Sequence, residues 1–244
     1  MMYQILKQAA LSIERDLYME FSKTPAVIFD MDGIIFDTER LYIETWKAVA
    51  REYDLENVTE MAYRIIGVND MMSRKVFTEY YQGTRDYDQC RKRVSEVFHS
   101  RYDGKIPVKP GVQEILAYLK ERNIPVALAS STRIETVQRE LKEAGLYHAF
   151  DHIIGGDMIK QSKPAPDIFL AAAEKLEAAP ENCYVLEDSH NGIRAAAAAG
   201  MHPIMVPDLL EVTEEMQELA ETICPTLNEA IDYLDRRIIT EINR

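Results

Sequence analysis

A short apolar run, Ala26-Val27-Ile28-Phe29, stops abruptly on the acid Asp30. Later runs behave alike: residues 125–130 (PVALAS) stop on Ser130, and residues 183–187 (CYVLE) stop on Glu187. Apolar runs of this length without polar alternation read as strands buried on both faces, an arrangement of parallel sheets. From Pro107 onward, strand and helix patterns alternate. Helical patterns cover 112–122, 133–144, 166–177 and 191–199, and strands are expected at 125–130, 151–155, 183–187 and 203–206. Gly145 and Gly200 follow two of the helices as stop signals. The alternation predicts βαβ units and a parallel sheet, hence an α/β fold. Small residues in the alanine run 195–199 would let a helix pack closely on that sheet.

The first strand is separated from its sheet partners by residues 38–105, which carry no clear strand signal. They show helical patterns instead, such as Leu41, Thr45, Trp46, Val49 and Ala50, then Val94, Val97 and Phe98, with turns at Gly67 and Gly83. The expected organisation is a sheet domain formed by residues 24–37 and 106–244, with an all-helical module of about four or five helices inserted at 38–105. Ahead of both, residues 1–23 read as an amphipathic helix through Ile5, Leu6, Ala9, Ile13 and Leu17. Glu14, Arg15 and Asp16 interrupt its apolar residues, so it does not read as a signal peptide.

Composition narrows the function classes. The net charge is −13, which argues against nucleic acid or an anionic membrane as partner, since both are captured by basic patches. No apolar run approaches the roughly 20 residues needed to span a bilayer. Cys90, Cys183 and Cys224 lie far apart without metal-type pairing, which suits a reducing, cytoplasmic setting. The charge is uneven along the chain. Residues 38–105 are balanced, whereas residues 208–244 hold ten acids against three basic residues. That tail carries none of the motifs below, and its acidity reads as solvated surface.

In an open parallel sheet, ligands bind at the carboxyl ends of the strands. Those ends read Asp30-Met31-Asp32-Gly33, Ser130-Ser131-Thr132 and Glu187-Asp188-Ser189, and Lys163 lies in Ser162-Lys163-Pro164-Ala165-Pro166. Singly, each has a plain reading: a turn, a loop hydroxyl, a helix cap, a solvated lysine. Jointly they place Asp30, Asp32, Glu187 and Asp188 on one edge, where four carboxylates repel and call for a hard cation. Mg²⁺ typically uses a few carboxylates together with phosphate and water. Lys163 and the hydroxyls of Ser130 and Ser131 suit the remaining oxygens of a phosphate. One aspartate can then act as nucleophile, and a second as general acid and base.

The segment FDMDGIIFDTE at residues 29–39 resembles the first motif of the haloacid dehalogenase (HAD) superfamily of phosphohydrolases. Ser130 in ALASST, Lys163 in SKPAPDIF, and Glu187 and Asp188 in VLEDSHNGIRAAAAAG resemble its second, third and fourth motifs. The resemblance covers about residues 24–244 and implies a Rossmann-like core with an inserted helical cap, like that of the β-phosphoglucomutase and pseudouridine-5′-phosphatase-like subfamily. It further implies Asp30 as nucleophile and Asp32 as acid/base, with the Asp32 main-chain carbonyl also on Mg²⁺. Ser130 and Lys163 become the phosphate ligands, and Glu187 and Asp188 the acidic metal motif, Glu187 being a ligand or a partner of one.

Retention of Asp32 disfavours dehalogenation, and Lys47 and Lys75 match no known Schiff-base pattern. The histidine and cap arginine of the mutases fall at Tyr42 and near Asp70, which weakens a mutase reading, although Arg133 is suitably placed for a distal phosphate. Asn69 and Asp70 are further candidate substrate contacts. The expectation is a Mg²⁺-dependent phosphatase of a small phosphorylated metabolite, with a phosphosugar mutase and a non-catalytic interaction module as alternatives. The oligomeric state is not legible in the sequence.

Overall fold

A computed structural model of the chain describes residues 25–68 and 70–242, with side chains to residue 238. The helix expected at residues 1–23 and the candidate Asn69 lie outside the described residues. Six parallel strands form one sheet in the order β3-β2-β1-β4-β5-β6. They are β1 (Ala26–Phe29), β2 (Val126–Ser130), β3 (His152–Gly155), β4 (Cys183–Glu187), β5 (His202–Met205) and β6 (Thr222–Ile223). The two-residue β6 was not foreseen, because a run that short carries no period.

Strand residues alternate between faces, as the pleat requires. Val27, Phe29, Leu128, Tyr184 and Leu186 face one apolar layer. It is covered by α5 (Val112–Glu121), α6 (Ile134–Glu143) and α10 (Leu227–Ile242). Ala26, Ile28, Ala127, Ala129 and Val185 face the other, beneath α7 (Asp167–Lys175) and α8 (His190–Ala198). Ala195 and Ala196 of the alanine run are fully buried there, opposite the small strand residues Ala127 and Ala129. A helix without bulky side chains at those positions can approach the sheet closely.

Between β1 and α5 the chain forms four helices: α1 (Thr38–Ala50), α2 (Val58–Arg64), α3 (Asp70–Tyr80) and α4 (Tyr87–Tyr102). They bury their own apolar cluster, including Ile43, Trp46, Val49, Met61, Phe77, Tyr87 and Val94. Trp46 is 2% exposed and packs beside Phe77 at 5.8 Å between ring centroids. Tyr81 and Tyr87 approach the same phenyl ring at 4.8 and 5.4 Å. The passages into and out of this module lie side by side. Asp37 N–H donates to Pro107 O at 3.1 Å, and Lys109 N–H donates to Ile35 O at 2.9 Å.

Most acids of the tail are solvated as expected, Glu211, Glu214, Glu215, Glu218, Glu229 and Asp232 being exposed, while α9 (Glu214–Leu219), β6 and α10 also pack on the sheet domain. In α10 the buried residues Leu227, Ala230, Leu234 and Ile238 recur at helical spacing, so the acids between them are left outside. The side chain of Asp208 is only 4% exposed and is paired with Arg40 and Lys109, each at 2.8 Å. Glu221 accepts hydrogen bonds from Tyr233 and Arg237 and pairs with His202, tying α10 to the amino end of β5. Counting charge without reading its spacing concealed this packing.

Phe77 is the hub of the ring contacts in the helical module. Phe77→Ala should cost about 3–5 kcal/mol of stability, read as a lower urea midpoint in equilibrium unfolding.

Candidate active site

The strand register explains which side chains meet. Phe29 pairs with Leu128 on one side and with Leu186 on the other. Asp30, the next residue, therefore emerges at the carboxyl edge between the ends of β2 and β4, and its N–H donates to Leu186 O at 3.0 Å. The chain then turns through Gly33 at φ +80°. A Cβ on Gly33 would lie 2.1 Å from Asp188 Oδ2, so only glycine lets the loop pass that carboxylate.

Lys163 arrives from the loop after β3, is 5% exposed, and points into the same edge. Its Nζ donates to Asp30 Oδ1 at 2.5 Å, Glu187 Oε1 at 2.8 Å and Ala129 O at 3.4 Å. An ammonium has three donors, and all are used. Burial pulls the lysine pKa down, but Asp30 and Glu187 outweigh it and hold the pKa above the usual lysine value. Burial pushes Asp30 up to about 8, Lys163 opposes that shift, and the nearby Glu187 and Asp32 add to it.

Glu187 spends both oxygens on protein partners. Oε1 takes the lysine and Oε2 accepts the Ser189 N–H at 2.6 Å. Gly192, in the first turn of α8, makes room for it, since a Cβ there would fall 1.6 Å from Glu187 Oε1. Asp188 is 3% exposed, and burial together with the neighbouring Glu187, Asp30, Glu39 and Asp208 raises its pKa well above the carboxylate range.

Asp32 is held by hydroxyls. Thr38 Oγ1 donates to its Oδ1 at 2.6 Å, and Thr132 Oγ1 and Ser130 Oγ donate to its Oδ2 at 3.2 and 3.5 Å. Burial raises its pKa, and these donors temper the rise. Ser130 is fully buried and also accepts the Thr132 N–H at 3.0 Å.

These groups open into one cavity of about 650 Å³ between the sheet edge and the helical module. Asp30, Asp32, Lys163, Glu187, Asp188, Ser131 and Arg133 line its floor, whereas Ser130 sits behind the wall. Asp70 lines the roof, where its carboxylate accepts from Tyr87 OH at 2.8 Å. Roof residues that escaped sequence reasoning include Glu39 and the row Arg91, Ser95 and His99 on α4. The i, i+4, i+8 spacing of that row was a legible signal, but nothing in the sequence said which way α4 faces. Arg91 lies over the Tyr42 ring at 5.5 Å, and Tyr42 stacks on Phe98 at 4.1 Å and 10°.

A reactive carboxylate facing a buried ammonium at the carboxyl edge of a parallel sheet, under a helical roof, suits a hydrolase of phosphate esters. Comparison with known proteins agrees. Residues 27–206 match the haloacid dehalogenase-like hydrolase family. A phosphorylated carbohydrates phosphatase of Thermotoga maritima is 36% identical over 179 residues, covering 73% of this chain and 83% of that one. A β-phosphoglucomutase of Bacillus subtilis is 32% identical over 190 residues, covering 74% and 82%. The structure of CbbY from Rhodobacter sphaeroides in complex with phosphate aligns with a TM-score of 0.69 at 26% identity, covering 84% and 95%. The chain belongs to the haloacid dehalogenase-like hydrolase family and is a phosphoric monoester hydrolase. No helix among the described residues is long and apolar enough to cross a membrane.

Glu39 offers a test of the buried charge. Burial first, then Asp32, raises its pKa from 4.5 to about 8, against the pull of a hydrogen bond from the Gly67 amide. A carboxyl whose folded pKa is raised favours folding fully below its unfolded pKa, and that contribution is lost as pH rises through the folded value. Glu39→Gln should therefore gain Tm over the wild type between about pH 4.5 and 8, with the gap constant above that. Thermal unfolding in metal-free buffer across this range measures it.

Proposed function

We propose that the protein is a Mg²⁺-dependent phosphatase of small phosphorylated metabolites, working through an aspartyl-phosphate on Asp30. The observation that carries the reading is Asp30 and Asp32 opening on one cavity, with Lys163 bonded to the first and hydroxyls holding the second.

The residues fit a hard cation. Lys163 is committed to Asp30 and Glu187, and Asp188 has no cationic partner among the described residues, so the edge is short of positive charge. The carboxylates of Asp30 and Asp188 would hold Mg²⁺, with the main-chain carbonyl of Asp32 that the family resemblance supplies. Glu187 is already occupied by Lys163 and the Ser189 amide, which favours its role as the anchor of the lysine. Among the described residues no group of three or more His, Cys, Asp or Glu is arranged to ligate a metal. Mg²⁺ typically takes one or two carboxylates and completes its shell with phosphate and water. When bound, Mg²⁺ supplies charge neutralisation at the phosphoryl oxygens.

In the first step an Asp30 oxygen attacks phosphorus in line with the leaving oxygen, forming the acyl-phosphate bond as the ester P–O bond breaks. Asp32, kept protonatable by burial, gives its proton to the departing alcohol. In the second step Asp32 takes a proton from water, which attacks phosphorus and releases Asp30. Lys163 offsets charge on the phosphoryl oxygens and the Ser131 hydroxyl, which lines the cavity, donates to them, while Ser130, behind the wall, holds Asp32.

A polyhydroxylated leaving group suits the roof, where Glu39, Arg91, Ser95 and His99 offer hydrogen bonds. The named activity of the Thermotoga relative supports a phosphorylated carbohydrate. Hydrolysis is favoured over mutase chemistry, because Tyr42 is locked in its stack on Phe98 and Asp70 is bonded to Tyr87.

Asp30→Asn should abolish turnover of p-nitrophenyl phosphate while the protein stays folded, and Asp32→Asn should lower kcat by about 10²–10⁴-fold. Removing Mg²⁺ with EDTA should stop activity, and adding it back should restore it. Retained activity in Asp30→Asn would refute the nucleophile assignment. A metabolite panel read by phosphate release, with β-glucose 1-phosphate scored for isomer formation, separates phosphatase from mutase.

A further inference from the structure

Gly67, in the loop after α2, meets the sheet domain through its main-chain carbonyl. Its carbonyl accepts from Asn191 Nδ2 at 3.3 Å, and Asn191 stands on α8 of the sheet domain. The approach is close. A Cβ on Gly67 would lie 2.7 Å from the Cβ of Ser189, and φ is +66°. A glycine is therefore required on two counts, contact and conformation.

The orientation of Asn191 is determined by its neighbours. Its Oδ1 accepts from Arg194 Nη1 at 3.1 Å. Arginine has donors only, so the amide cannot be flipped and its NH₂ must face Gly67. Arg194 is itself gripped by both oxygens of Glu215, at 2.6 and 2.5 Å. A chain of bonded groups thus runs Glu215–Arg194–Asn191–Gly67, from α9 to the roof of the cavity. Other side-chain ties between module and sheet domain include Arg40 to Asp208 and Gly104 N–H to Glu143 beside the two passages that join them, and Arg139 Nη2 to His99 Nδ1 at 3.4 Å elsewhere on the cavity wall. The Asn191 bond lies at the rim, and Ile66, Gly67 and Val68 line the cavity there.

We propose that Asn191 is a positioning residue that docks the helical module onto the sheet domain at the rim of the active-site cavity. It does not line the cavity itself. It acts through the Gly67 peptide, which holds the Ile66–Val68 wall in place and so restricts water and retains substrate. The docking claim stands on contacts independent of the reaction chemistry, and only the kinetic arm of its test rests on the phosphatase reading.

The chain has one tryptophan, and Trp46 is buried in the module and lines the cavity, so it reports docking directly. The variants are Asn191→Ala and Asn191→Asp. The aspartate keeps the size and suits the first turn of a helix, yet its carboxylate cannot donate to Gly67. Acrylamide quenching of Trp46 in the unliganded protein should increase at least about twofold in both variants, with the urea midpoint of Asn191→Asp unchanged. With a phosphomonoester, KM should rise about fivefold, the ratio equivalent to one hydrogen bond of about 1 kcal/mol, while kcat changes less. Wild-type quenching in Asn191→Asp overturns the proposal, whatever the kinetics. A wild-type protein that hydrolyses no phosphomonoester overturns the phosphatase reading alone and leaves the quenching result standing.

Discussion

The contact of Lys163 with Asp30 and Glu187 is the interaction on which the site depends. Three chain segments distant in sequence bring carboxylates or carbonyls to within hydrogen-bond reach of one ammonium. Removed from water, each charge alone would carry a large desolvation cost, and the geometry offsets it because every lysine donor has an acceptor. The ring of Phe169 lies 4.7 Å beneath the ammonium and adds a further electrostatic contact. The lysine cannot compensate Asp188 as well. That residual deficit is what the proposed cation would offset, and burial, with repulsion between neighbouring carboxylates added to it, raises the pKa values of Asp30 and Asp188.

This contact is possible because of strand order. β1 is flanked by β2 on one side and β4 on the other, and the chain crosses the sheet in opposite senses from those neighbours. The crevice at such a switch point is where open α/β sheets bind ligands. Insertion of four helices directly after β1 covers that crevice without disturbing the sheet, because the two connecting passages hydrogen-bond to one another at residues 35–37 and 107–109. The net charge of the chain says little about this place. Part of the acidic surplus supports structure, as with Asp208 between Arg40 and Lys109 and Glu221 beneath α10. Local donors and the lysine set the chemistry of the cavity.

Much of the site was legible in the residues. Asp30, Ser130 and Glu187 could be found because each ends an apolar run, and Lys163 because it sits in a proline-braced loop between strand and helix. What escaped was side-chain orientation. Glu187 read as either a metal ligand or a partner of one, and a glycine in α8 and the amide of Ser189 turn it to Lys163. Ser130 and Ser131 both read as phosphate-binding hydroxyls, and one is buried behind the wall while the other faces the cavity. Glu39 carried no signal, because only the seating of the module over the sheet edge brings its carboxylate into the cavity near Asp32.

The sequence by itself determined the layer architecture, the position of the helical insertion and the polar groups at the strand ends. These follow from hydrophobic periodicity and strand-end chemistry, which are local properties of the chain. Tertiary structure alone decided the roof of the cavity: the inward face of α4, the Tyr42–Phe98 stack, and the bond by which Asn191 holds Gly67. Those depend on how two separately packed apolar cores meet. A helix that is polar on one side reads the same in sequence whether that side faces solvent or an active site.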